Sequence, residues 1–138
     1  MASNDHASDD AATIAGVRRP KPHPLWSALI GLTSLGVLLQ GLWAGLFLRP
    51  DADGSTWYSV HQHGAEATVT LAVLATIAAA AWLRHRRDLL VGTVLLLVLL
   101  VVEYFLGRAG GGSVAVHVPL AMLLMGLAVW LPMAARRG

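Results

Sequence analysis

Four long apolar runs, separated by short charged or glycine-rich breaks, constrain this chain more than any other feature of its sequence. They span 25–48, 61–83, 89–106 and 114–133, the second being purely apolar only from Ala67 and the third being short. A helix needs roughly 20 such residues, at about 1.5 Å rise each, to cross the apolar part of a bilayer. None of the runs alternates with a period of two, which excludes a transmembrane β-barrel. Inside lipid every backbone N–H and C=O must find a partner, and a helix supplies those partners within one segment. The expected fold class is therefore all-α: a polytopic membrane protein, a bundle of four transmembrane helices. Composition agrees, since 13% of the residues are charged, against about 25% in soluble domains.

The breaks set the expected orientation. Arg18, Arg19, Lys21, Arg84, Arg86, Arg87, Arg136 and Arg137 fall on one side of the four runs, and Arg49 and Arg108 on the other. The positive-inside rule then puts both termini and the turn at 84–88 in the cytoplasm, within the plasma membrane of a bacterium. Residues 1–24 are polar, with Asp5, Asp9 and Asp10 ahead of the basic residues, and are expected to form a disordered cytoplasmic tail; 136–138 is a short second tail. The first run is too long, and ends without a small-residue cleavage site, for a signal peptide. Trp26, Trp57, Tyr58, Trp82 and Trp130 lie near predicted interfaces, as membrane-anchoring rings do. With no cysteine, thiolate metal sites, disulfides and c-type haem attachment are excluded. No phosphate-binding loop, dinucleotide fingerprint, serine–histidine pair or nucleic-acid patch is present.

The second and fourth runs match at an offset of 56 residues: Val60, His61, Ala65, Leu71, Ala72 and Val73 meet Val116, His117, Ala121, Leu127, Ala128 and Val129. Gln40 in the first run meets Glu103 in the third. The chain thus reads as two repeated helix pairs, a known way of building membrane folds. The polar residues of the spans share one leaflet. His61, His63 and Glu66 open the second run, His117 opens the fourth, and Glu103, Tyr104 and Gln40 lie in the outer half of the third and first. Ionisable groups in a span are costly and mark function by default.

Two histidines at similar depth on two helices suit the axial positions of a haem iron, with Arg49 or Arg108 near the surface to pair propionates. Residues two apart on a helix point about 200° apart, so His61 and His63 cannot both face inward. The repeat and the small residues Ala65, Thr68, Ala72 and Ala79 on its face favour His61, while depth favours His63. Pro119 marks the first turn of the fourth helix, which leaves His117 at its entrance. Glu103 has three readings: a protonated partner of Gln40, a proton-handling group, or an acceptor orienting a histidine. His61, His63 and His117, with Glu66 and Glu103, also form an N/O-rich set suited to Zn or Cu(II). Gly41 and Gly45 make a GxxxG pattern, expected to pack inside the bundle, with a homodimer face or another membrane protein as the alternative.

These residues resemble one four-helix half of the haem A synthases. The resemblance is carried by Gln40-Gly41, by His61 with Ala65, by Glu103 with Gly107 and by His117 with Ala121, and it covers the membrane region. The layout is also similar to small uncharacterised four-helix membrane proteins of actinobacteria. It implies haem held by histidines near the outer ends of the second and fourth helices. The family's catalytic Glu-x-x-His-Arg signature is missing: Tyr58 stands three residues before His61, and Gln62 follows it. The expectation is haem b bound at His61 (or His63) and His117, with Gln40, Glu103 and Arg108 around it, in electron transfer or haem handling. The alternatives are a non-catalytic subunit of a larger complex and an outer-face Cu/Zn-binding protein.

Overall fold

A computed structural model describes residues 21–51 and 53–137. The expected N-terminal tail lies, up to residue 20, outside the described residues. Four helices follow in order: α1 (Pro24–Phe47), α2 (Gly54–Trp82), α3 (Arg87–Ala109) and α4 (Val114–Arg136), with a single 3-10 turn, Gly111–Ser113, before α4. All four are long and apolar enough to cross a membrane. Neighbours pack in the cyclic order α1, α2, α3, α4, so α2 and α4 lie across one diagonal and α1 and α3 across the other. The chain is a multi-pass membrane protein with a four-helix bundle.

Local chemistry explains the helix ends. Pro24 sits at the start of α1, where its missing N–H costs nothing. The His23 ring caps the same turn by accepting from the Leu25 N–H at 3.2 Å. α2 begins at Gly54, well ahead of the expected start at His61, because the Asp53 carboxylate accepts from the Ser55 and Thr56 N–H groups and from both their hydroxyls. Those bonds, led by the hydroxyls, hold the Asp53 pKa down at about 2. His61 therefore stands in the body of α2, not at its opening. At Gly110 the chain turns out of α3 with φ of 63°, a left-handed conformation open to glycine. α4 starts at Val114, so Pro119 lies inside the helix, not in its first turn, and His117 is in that turn instead.

The interior is built from small and polar residues as much as from large apolar ones. Ala72, Ala75, Ala78 and Ala79 bury one face of α2 against Trp26, Ile30, Val37, Leu96, Leu124 and Leu131. Many large apolar side chains, among them Leu38, Ile77, Val91 and Leu123, face outward, as lipid contact requires. Thr33, Thr68 and Thr93 are buried, and each hydroxyl donates to the carbonyl one turn back, at 2.7 to 2.8 Å. Gly36 is one close helix approach: a Cβ there would stand 2.5 Å from Thr68 Oγ1. Gly41 and Gly45 are different: nothing lies within 4 Å of where their Cβ atoms would be. The GxxxG pattern, expected to pack inside the bundle, faces away from it. Trp26 is also unlike an interfacial anchor, being fully buried and donating from Nε1 to Thr93 Oγ1 at 3.2 Å.

Pro132 shows how backbone satisfaction shapes the bundle. Proline has no N–H, so the carbonyl of Ala128, four residues earlier, loses its helical donor. Ser34 Oγ on α1 supplies a donor at 2.6 Å. Two contacts close the end that carries most of the positive charge, the basic end. The His23 ring stacks on Trp82 at 4.2 Å, and the buried Arg86 donates to the Ala134 carbonyl while pairing with Asp88 at 3.1 Å.

Candidate functional site

The opposite end of the bundle gathers the polar residues. On α2, His61 is half-buried and faces α1: its Nδ1 donates to the Gln40 carbonyl at 3.2 Å. A carbonyl can only accept, so a neutral His61 carries its proton on Nδ1 and keeps a lone pair on Nε2. Phe47 meets the ring edge-on, with centroids 5.5 Å apart. This placement follows from the Asp53 cap, which starts α2 early and carries His61 two turns into the helix.

The second pair repeats the arrangement with a different acceptor. On α4, His117 Nδ1 lies 3.1 Å from Glu103 Oε1 on α3, and both side chains are largely buried. The separation is that of an ion pair, yet the ring N–H does not line up on the oxygen, so neither group completes a hydrogen bond. Gly107 makes room for the ring; a Cβ there would stand 3.1 Å from His117 Cε1. Among the described residues Nε2 of neither His61 nor His117 has a hydrogen-bond partner.

With Gln40, each of the four helices contributes one residue to these two pairs. The Gln40 side-chain amide is buried with neither atom bonded, and Gly64 lies against it and against Trp43. Each such buried unbonded group costs roughly 1–3 kcal/mol.

His63 is not part of either pair. It is 74% exposed and turned away, with Nδ1 3.3 Å from Glu66 Oε2. Glu66 in turn accepts from the Tyr104 hydroxyl at 3.3 Å, and Arg108 donates to that hydroxyl at 3.4 Å and covers its ring. These four residues form a polar chain across α2 and α3 at the bundle's end. The sequence missed it because Tyr104 and Glu66 are 38 positions apart. Arg49 pairs loosely with Asp51 at 3.7 Å. The set His61, His63 and His117 is not brought together, and among the described residues no three His, Asp or Glu side chains converge as metal ligands.

The structure thus pairs His61 with Gln40 and His117 with Glu103, and joins His63 and Arg108 instead to the Glu66–Tyr104 chain. No protein-family model, curated protein or solved structure matches the chain.

Proposed function

We propose that the chain is a membrane haem-binding protein of b-type cytochrome character, in which His61 and His117 would hold the haem. One observation carries this reading. In each helix pair a histidine sets Nδ1 against an oxygen of the neighbouring helix and leaves Nε2 unengaged. Metal-ligating histidines are oriented in this way, the outer oxygen fixing the tautomer and the ring plane. Haem b, when bound, supplies a one-electron couple; the chain's own work is to orient two imidazoles, exclude water with α1 and α3, and hold a proton between Glu103 and His117. Arg108, at the rim, is the cation suited to a propionate. The basic end is read as cytoplasmic in a bacterial plasma membrane, which puts the site near the outer surface. Lipid surrounds the bundle, and the outward-facing Gly41 and Gly45 are where a second copy or another membrane protein would pack.

A reduced-minus-oxidised absorption spectrum of the protein, purified from cells supplied with haem, tests the proposal. Soret and α bands with about one haem per chain are expected. Their absence contradicts it. In that case the buried Glu103–His117 pair favours the second reading, a cofactor-free membrane subunit that handles protons, and co-purification would seek its complex. Copper or zinc in the same sample, without haem, would instead support an outer-face metal site.

A further inference from the structure

The basic end carries a feature unconnected with the histidine site. Between α1 and α4 a cleft of about 610 Å³ opens, walled by Trp26, Ile30 and Pro132 and rimmed by Lys21 and Arg136. Its depth has a local cause. Gly31, on the α1 side, offers no side chain, and nothing lies within 4 Å of where its Cβ would be. Lys21 and Arg136 are exposed, and neither has an acidic partner among the described residues. Asp88, the one acidic side chain at this end among the described residues, is already held by Arg86.

The cleft therefore has two parts in the order a lipid has them. Its mouth has two cations at the level where the helix ends meet the headgroups, and its wall continues into the span as apolar surface. We propose that it binds one anionic phospholipid of the leaflet that the basic end faces. The phosphate takes the rim shared by Lys21 and Arg136, and an acyl chain runs along Ile30 and Gly31. Basic pockets between helices at this level suit anionic headgroups, and long cationic side chains reach them while their stems stay on apolar surface. A zwitterionic lipid carries its own cation beside the phosphate and gains less. Free phosphate has nothing to place on the apolar wall.

Native mass spectrometry of the purified full chain in detergent, titrated with phosphatidylglycerol, phosphatidylcholine or inorganic phosphate, tests this. One phosphatidylglycerol is expected to bind in preference to phosphatidylcholine and to resist displacement by phosphate. Removing both rim cations in Lys21→Ala/Arg136→Ala should weaken it about thirty-fold, from about 1 kcal/mol per basic residue near the surface. The equally basic pair Arg84→Ala/Arg87→Ala, outside the cleft, should change binding far less. Gly31→Leu, which fills the cleft and leaves every charge in place, should also weaken it. Equal affinity for the two lipids, displacement by phosphate, an unaffected rim variant, an unaffected Gly31→Leu, or an equal loss in the Arg84/Arg87 control would each overturn the proposal.

Discussion

Each helix pair sets a histidine against an oxygen of the neighbouring helix, and the two do so by different means. In the α1–α2 pair the oxygen facing Nδ1 belongs to the backbone of Gln40. In the α3–α4 pair it belongs to the side chain of Glu103. A backbone acceptor survives any substitution at its own position and stays neutral. A side-chain carboxyl can be removed by one mutation. The first pair is thus a fixed mount for its imidazole and the second an adjustable one. The pairs also differ in packing. α1 meets α2 through Gly36, against the stiff, β-branched Thr68, whereas Gly92 on α3 lies against the longer side chains of Leu131 and Trp130.

The largest difference should appear in that packing. Gly36→Leu forces α1 away from a buried threonine and should destabilise the bundle by about 3 kcal/mol, at the upper end of overpacking costs. Gly92→Ala should cost about 1 kcal/mol, since side-chain ends can move aside. Gly41→Leu, facing open space, should leave the monomer's stability unchanged. Reversible unfolding in mixed detergent micelles measures all three. Equal losses at Gly36 and Gly41 would remove the distinction between bundle-facing and outward-facing glycines.

Next comes the acceptor. Glu103→Leu should lower haem affinity about 10- to 100-fold, the usual cost of losing an outer partner of a ligating histidine. Gln40→Leu keeps its carbonyl and should lower affinity only a few-fold. Haem titration of the two variants reads the contrast directly, and a larger loss at Gln40 would reverse the roles given to the two pairs.

How much of this was legible in the sequence depends on the range of the forces involved. Hydropathy is summed over whole spans, so the four crossings were plain and the structure reproduces them. Helix starts are decided by one or two hydrogen bonds. The Asp53 cap lies in a polar stretch that hydropathy reads as loop, and α2 therefore began earlier than expected. The facing of Gly41 and Gly45 depends on how α1 is rotated, which no local pattern in an apolar helix reveals. The choice between His61 and His63 turns on about 200° around one helix. Contacts such as Ser34 with Ala128 join residues 94 positions apart and had no sequence signal beyond Pro132 itself.

Smaller effects sharpen the comparison further. Ser34→Ala leaves the Ala128 carbonyl without its donor and should cost about 1 kcal/mol or less, a modest value typical of hydrogen bonds between membrane helices. Acid should loosen the start of α2. The folded Asp53 pKa, about 2, is below the usual 3.8. Its cap is then complete above pH 3.8 and is lost as the pH falls through 3.8 toward 2. No carboxylate caps the start of α4, where Gly110 and the 3-10 turn take over. Amide exchange at Ser55 and Thr56 should speed up relative to Val114 and Ala115 over that range. A parallel change at both helix starts would show that the Asp53 cap is not responsible.

The central claim is that one histidine from each pair, and not His63, offers the ligand nitrogen. Titrating haem into His61→Ala, His63→Ala and His117→Ala and recording the absorption spectra tests it most directly. His63→Ala should keep the low-spin, six-coordinate spectrum of the unmodified chain, and His61→Ala and His117→Ala should each lose it. Retention in His61→Ala together with loss in His63→Ala would contradict the geometry from which the site was built.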